Sequence, residues 1–295
     1  MVLVVGVTGL LGGKIATALK EQGFPVRGLC RNPANHPELA EKGIELLQGD
    51  LRQSDSLVKA CKGVKTVVTT ANSVAGNGDN SSKAVDLYGN RALIDAAKSE
   101  GVEHFIFVSM SGITPNSPVN FIQFKYATEE YLKASGMNYT IIRPQAFMEI
   151  WGMLLGEPIL KKGKVQVFGR GNNPVSFISA EDVKEFATLA VVEPSLRNKS
   201  LELGGPEGLT VNQIVEKYAQ VSGKTPKVTH IPVPMLRSMR LIMKLFRPGL
   251  GNLIGLSLVM DSLPGLVDSA ELAKIYNVKQ TSFDQFIKQG ATAQA

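Results

Sequence analysis

The sequence predicts a doubly wound α/β protein, a parallel sheet with helices on both faces, followed by a small C-terminal α+β cap. Three observations carry that prediction. Short, nearly continuous apolar runs rich in β-branched residues alternate with longer amphipathic stretches through the first 150 residues, as expected of strands covered on both faces. A glycine-rich turn falls between the first run and the first amphipathic stretch. Beyond residue 150 the strict alternation gives way to shorter, mixed elements.

Taken in order, "VLVV" (2–5) is the first strand and "LGGKIATALKEQG" (11–23) the first helix. Strands follow at 25–30, 44–48, 65–70, 104–109 and 139–143, and helices at 54–63, 83–101 and 126–136. Glycines close these helical stretches, because Gly takes the left-handed cap conformation without strain. Further on, "KVQVFG" and "PVSFIS" read as short strands and "AEDVKEFATLAVV" as a helix. They are followed by "KSLELGG" and by a helix at "TVNQIVEKYAQVSG". The expected division is a sheet domain over 1–150, with parts of 151–230 returning strands to it. The smaller cap, over 151–295, sits against the carboxyl edge of the sheet.

Composition narrows the function. With 295 residues, 44% hydrophobic and 20% charged, the chain is long and apolar enough for a packed core. Its net charge of +6 permits acidic partners, but no dense Lys/Arg run alternates with aromatics, so nucleic acid is not expected. Cys30 and Cys61 make neither a disulfide framework nor a metal site, and His36, His104 and His230 are scattered. Both cysteines read as buried thiols. The first strand begins at Val2, leaving no room for a leader, and no apolar run reaches membrane-span length, so a cytoplasmic location is expected.

The most informative segment is "VLVVGVTGLLGGKIA". Gly6, Gly9 and Gly12 form G-x-x-G-x-x-G between strand and helix. The first permits a tight turn, the second lets backbone N–H groups approach a pyrophosphate, and the third lets the helix pack close to the strand. With Thr8, Leu10 and Leu11 between them, these are the candidate cofactor-binding residues. At the end of the second strand, where an acidic residue would take the ribose hydroxyl of NAD, stand Arg31 and Asn32. A guanidinium suits a 2′-phosphate, so NADP(H) is the expected cofactor. "GDLR" adds Asp50 and Leu51 after the third strand, with Asp50 a candidate acceptor for the adenine amino group. "TTANS" places Ala71 and Asn72 near the expected ribose and diphosphate.

Together with that turn, "GDLRQSDSLVKACKGV", "NRALIDAAKSEGVEHFIFVS", "KYATEEYLKASGMNYTIIRP" and "GGPEGLT" resemble the NmrA-like group of atypical short-chain dehydrogenase/reductases, over roughly 1–230. The resemblance implies a Rossmann domain, a small C-terminal domain and NADP(H) binding. It also covers three kinds of protein: quinone or aromatic-ether reductases, redox-sensing regulators that bind dinucleotide without turnover, and assembly factors of the photosynthetic apparatus.

Typical superfamily members carry Tyr and Lys on one helix as Y-x-x-x-K. Here Lys125 matches the lysine, but the residue four before it is Phe121, and none of the six tyrosines has Lys four residues later. The usual proton relay is therefore absent. Hydride transfer does not require it, because a quinone-like acceptor can take hydride with Lys125 or water supplying the proton. The resemblance places Ser109, at the end of the fifth strand, near the nicotinamide, and the usual catalytic serine position nearer Met110, which leaves Ser109 and Ser111 flanking it. It also places Pro144, Gln145 and Phe147, in "RPQAFME", on the nicotinamide side. Lys125 and Ser109 are the catalytic candidates; Phe121, Met110 and Gln145 are the pocket candidates.

Finally, "MLRSMRLIMKLFRPGLGNLIGLSLVM" (235–260) repeats Arg237, Arg240, Lys244 and Arg247 at three- or four-residue spacing among Leu, Ile, Met and Phe. This reads as a lid over an apolar substrate, a surface for a protein or an anionic membrane, or a plain core helix. The function expected is NADPH-dependent reduction of an apolar carbonyl or quinone-like acceptor. The alternative is a non-catalytic dinucleotide-binding regulator or assembly factor with a protein or membrane partner.

Overall fold

The computed structural model describes residues 1–292. Seven strands form one sheet: β1 (Val2–Val5), β2 (Val26–Cys30), β3 (Glu45–Gln48), β4 (Thr66–Thr69), β5 (His104–Val108), β6 (Asn138–Pro144) and β8 (Lys199–Leu203). Their order is β3-β2-β1-β4-β5-β6-β8. Every pairing from β3 to β6 is parallel. β8 runs the same way as β6, with Asn198 N donating to Tyr139 O at one end and Gln145 N to Leu203 O at the other. The order reverses between β1 and β4, and their carboxyl ends make the topological switch point where ligands bind in open α/β sheets.

α1 (Leu10–Glu21), α2 (Pro37–Glu41), α3 (Ser54–Cys61), α4 (Asn90–Ser99) and α5 (Asn120–Ala134) connect these strands. One face of the sheet buries Leu3, Val5, Val67, Phe105, Phe107 and Ile141 against Leu57, Leu93, Ile94 and Leu132. Gly23, Gly63, Gly101 and Gly136 all take positive φ, closing the helical stretches as expected.

The chain divides into two compact units. One is Met1–Arg143 with Val183–Leu201; the other is Pro144–Asp182 with the chain from Glu202 onward. The second unit contains α6 (Met148–Trp151), α7 (Glu157–Lys162), β7 (Lys164–Phe168), α9 (Val211–Ser222), β9 (Lys227–Ile231), α10 (Val233–Phe246), α11 (Pro248–Ser262), α12 (Ala270–Ile275) and α13 (Phe283–Thr292). α8 (Ala180–Val192) crosses from one unit into the other. β7 and β9 pair in parallel as a separate two-stranded sheet. An edge-to-face aromatic cluster of Trp151, Phe177, Tyr218, Phe283 and Phe286 fills this unit's core. Thr210 opens α9 with a capping box completed by Gln213.

Four expectations differ in detail. α5 begins at Asn120 rather than Tyr126, because Val119 is extended and Phe121 and Ile122 bury in the first turn. The helix expected over 83–101 is a seven-residue π segment, Lys83–Gly89, running into α4. "PVSFIS" forms isolated bridges instead of a strand. Val175 bridges both Leu209 and Gly265, and Phe177 N turns back to Val175 O in a tight three-residue turn that interrupts any ladder. The 235–260 segment is two helices, broken at Arg247, whose extended φ of −142° is what a following proline imposes.

Candidate functional site

The glycine turn lies at the switch point, between β1 and α1. Gly6 has φ +84°, a conformation only glycine adopts readily, and a Cβ there would stand 2.7 Å from Thr70 Oγ1 at the end of β4. Gly12 is constrained further: its Cβ would lie 2.1 Å from Gly6 O, so α1 closes onto the turn only without a side chain. Gly9 is the N-cap of α1, its N–H donating to Gly6 O at 2.9 Å, and no side chain caps the helix. Gly9 is exposed, as are Thr8 and Leu10, and a Cβ at Gly9 would stand 3.3 Å from Gly6 O, while Leu11 turns into the core. Twelve residues of aligned peptide dipoles therefore end in solvent-facing N–H groups beneath a glycine platform, which fits a pyrophosphate.

Arg31 and Asn32 follow β2 and are both exposed. Asp50, after β3, is held in a fork by Arg52, with Nε to Oδ1 at 2.8 Å and a terminal nitrogen to Oδ2 at 2.6 Å. That guanidinium, and more weakly Arg31, holds the carboxyl below its ordinary range. Leu51 packs its side chain into the sheet core and against Gly89. Beyond β4, Ala71 is half-buried and Asn72 exposed, its amide donating to Thr70 O.

This turn is tied down by a residue the sequence reading did not single out. Asn90 is fully buried, accepts from Thr69 Oγ1 and donates to Val85 O and Ala71 O. A second such residue is Asp86, on the π segment. Lys125, 2% exposed in the second turn of α5, sets its ammonium 3.3 Å from Asp86 Oδ1 and donates to Val108 O at 3.2 Å. Asp86 Oδ2 also accepts from Ser73 N, and Asp86 O accepts from Thr128 Oγ1. Burial pushes the Asp86 carboxyl up, and the Lys125 charge pulls it back.

Phe121, one turn before Lys125, is buried and presents its ring 5.8 Å from Nζ, with Phe107 at 4.8 Å on β5. The tyrosine position is thus occupied by an aromatic that shields the ammonium without offering a proton. Ser109 closes β5 with its N–H on Ile142 O; its hydroxyl is buried without a hydrogen-bond partner, while Met110 and Ser111 are half-buried.

Pro144, Gln145 and Phe147 belong to the second unit. Pro144 is buried at the end of β6, Gln145 binds Leu203 O through its N–H, and Phe147 bridges Ile178 and precedes α6. Asp86 and Asn90 left one signal in the sequence: "DLYGN" sets two polar residues four apart where a helix should be apolar. The thiols of Cys30 and Cys61 are buried, that of Cys61 pushed up to about 12 by burial, so neither is a nucleophile at neutral pH. No metal-binding cluster of His, Cys, Asp and Glu occurs among the described residues.

A doubly wound sheet with a glycine turn and an uncapped helix at its switch point defines a nucleotide-binding α/β protein. The chain belongs to the NmrA-like family, whose match spans residues 1–287. It is 33% identical over 242 residues to the photosystem II assembly factor Ycf39 of Cyanophora paradoxa, covering 81% of this chain and 74% of that protein. It is 27% identical over 298 residues to the NAD(P)H azoreductase of Xenophilus azovorans, covering 99% of each. Among solved structures, the Escherichia coli NADPH-dependent quinone oxidoreductase QOR2 in complex with NADPH superposes with a TM-score of 0.79 at 24% identity, over 98% of this chain and 99% of that one.

Proposed function

We propose that the protein binds NADP(H) and reduces an apolar, quinone-like or related conjugated acceptor. The observation that carries this reading is the solvent-facing N-terminus of α1 under the Gly6–Gly9–Gly12 turn, with an exposed Arg31 at the end of the neighbouring strand. The backbone N–H groups of α1 would hold the pyrophosphate, and Arg31 the 2′-phosphate. The azoreductase relative supports the chemistry by its full-length match.

When bound, the nicotinamide supplies hydride. Lys125 is paired with Asp86, donates to Val108 O and has almost no exposure, so its part is to fix charge and shape at the end of β5, as a positioning residue. Ser109 Oγ is the buried hydroxyl left with a hydrogen bond to give, and it would orient a carbonyl or carboxamide. A quinone reduced by hydride leaves as a weakly basic oxyanion that takes its proton from water, so the missing tyrosine is no obstacle.

The second reading is a dinucleotide-sensing assembly factor. The Ycf39 relative favours it, as does Phe121, whose ring replaces the proton donor. A titration of intrinsic fluorescence with NADPH and NADH tests the cofactor assignment. Wild type should prefer NADPH, and Arg31→Ala should weaken NADPH by about 10- to 100-fold, the loss of one charge-assisted phosphate contact, while leaving NADH unchanged. Equal loss for both cofactors contradicts the role given to Arg31.

A further inference from the structure

We propose that the α10–α11 hairpin docks on an anionic lipid surface. Leu241, Ile242, Leu245 and Phe246 are 72%, 53%, 79% and 77% exposed, a concentration of apolar surface that a water-facing helix does not carry without cause. Their spacing sets Leu241 beside Leu245 and Ile242 beside Phe246, one turn apart, as two adjacent rows on α10. Leu250 and Leu253 of α11, which packs on α10, are also partly exposed, at 38% and 39%, while Leu236 anchors α10 inward.

Charge selects the occupant. Exposed Arg237, Lys244 and Arg247 rim the apolar rows, and no Asp or Glu occurs between Glu216 and Asp261. Asp261 itself is buried, taken up by Arg170 Nε and by the backbone N–H groups of Arg170 and Gly171. A second copy meeting this face through a twofold axis would set cations against cations with no carboxylate on the hairpin to answer them. A bilayer rich in anionic headgroups answers both features: it takes the leucines and Phe246 into its interface and leaves the cations among phosphates. No helix of the described residues is long and apolar enough to cross a membrane, and the 14 residues of α10 suit lying along the surface.

Flotation of the full chain with phosphatidylcholine vesicles, with and without added phosphatidylglycerol, tests this at low and raised salt. The chain should float only with the anionic vesicles, and salt should weaken binding. Leu245→Glu with Phe246→Glu should abolish it. Lys244→Gln and Arg247→Gln should each weaken it about fivefold, all with unchanged melting temperature. Three results overturn the proposal: wild type remaining unbound to both vesicles, flotation indifferent to these substitutions, or a wild-type dimer in sedimentation that the double glutamate variant converts to monomer, which would make a second copy the cover.

Discussion

At the residue scale, His104 records how strongly the first unit's core is dried. Its Nε2 lies 2.9 Å from Thr140 Oγ1, whose own hydrogen goes to Leu196 O, so the imidazole donates through Nε2. Burial, aided by the charge of Arg197, lowers its pKa from 6.5 to about 4. The folded state thus binds fewer protons than the unfolded one between those values. The stabilisation from this residue is complete above pH 6.5 and is lost as pH falls through about 4. At about 1.4 kcal/mol per pH unit, that loss reaches about 3 kcal/mol. Denaturant melts of wild type and His104→Gln should converge in stability as pH falls across this window; parallel curves would contradict the account. Residue by residue, the glycine turn and the exposed Arg31 proposed for the phosphates were legible, because a tight turn and a charge at a strand end are local features of the sequence. The partners of Lys125 were not, because Asp86 lies 39 positions earlier in the chain and meets it only through the fold.

At the element scale, the π segment and α5 form one device. The π segment, Lys83–Gly89, turns Asp86 inward, and α5, starting at Asn120, brings Phe121 and Lys125 onto the same face. Periodicity suggested helix in both places but could not distinguish π from α, nor find a start without a side-chain cap. Breaking the ion pair from one side strands a buried charge. Asp86→Asn or Lys125→Met should each cost about 3–5 kcal/mol, and the double variant should recover most of it. Urea unfolding of the four proteins measures the coupling, and additive losses would mean that the two elements are not joined through this pair. The same scale explains why "PVSFIS" misled: its alternation suits a strand, yet the local turn at Val175–Phe177 leaves it bridging three separate segments.

At the scale of the molecule, the doubly wound parallel sheet and the position of the glycine turn were readable from the alternation of strands and helices, because βα repetition leaves few topologies open. Function was less so. The same fold carries reductases and assembly factors, and the residues that would separate them are few: a buried lysine, a phenylalanine in place of tyrosine, and an unpartnered serine hydroxyl. The most direct measurement is NADPH oxidation by the purified chain with a series of quinone and azo acceptors, beside Lys125→Met and Ser109→Ala. Wild type should consume NADPH only with an acceptor, and that consumption should fall in both variants while NADPH still binds. Tight NADPH binding with no consumption by any acceptor would contradict the reductase reading and leave the assembly-factor reading in its place.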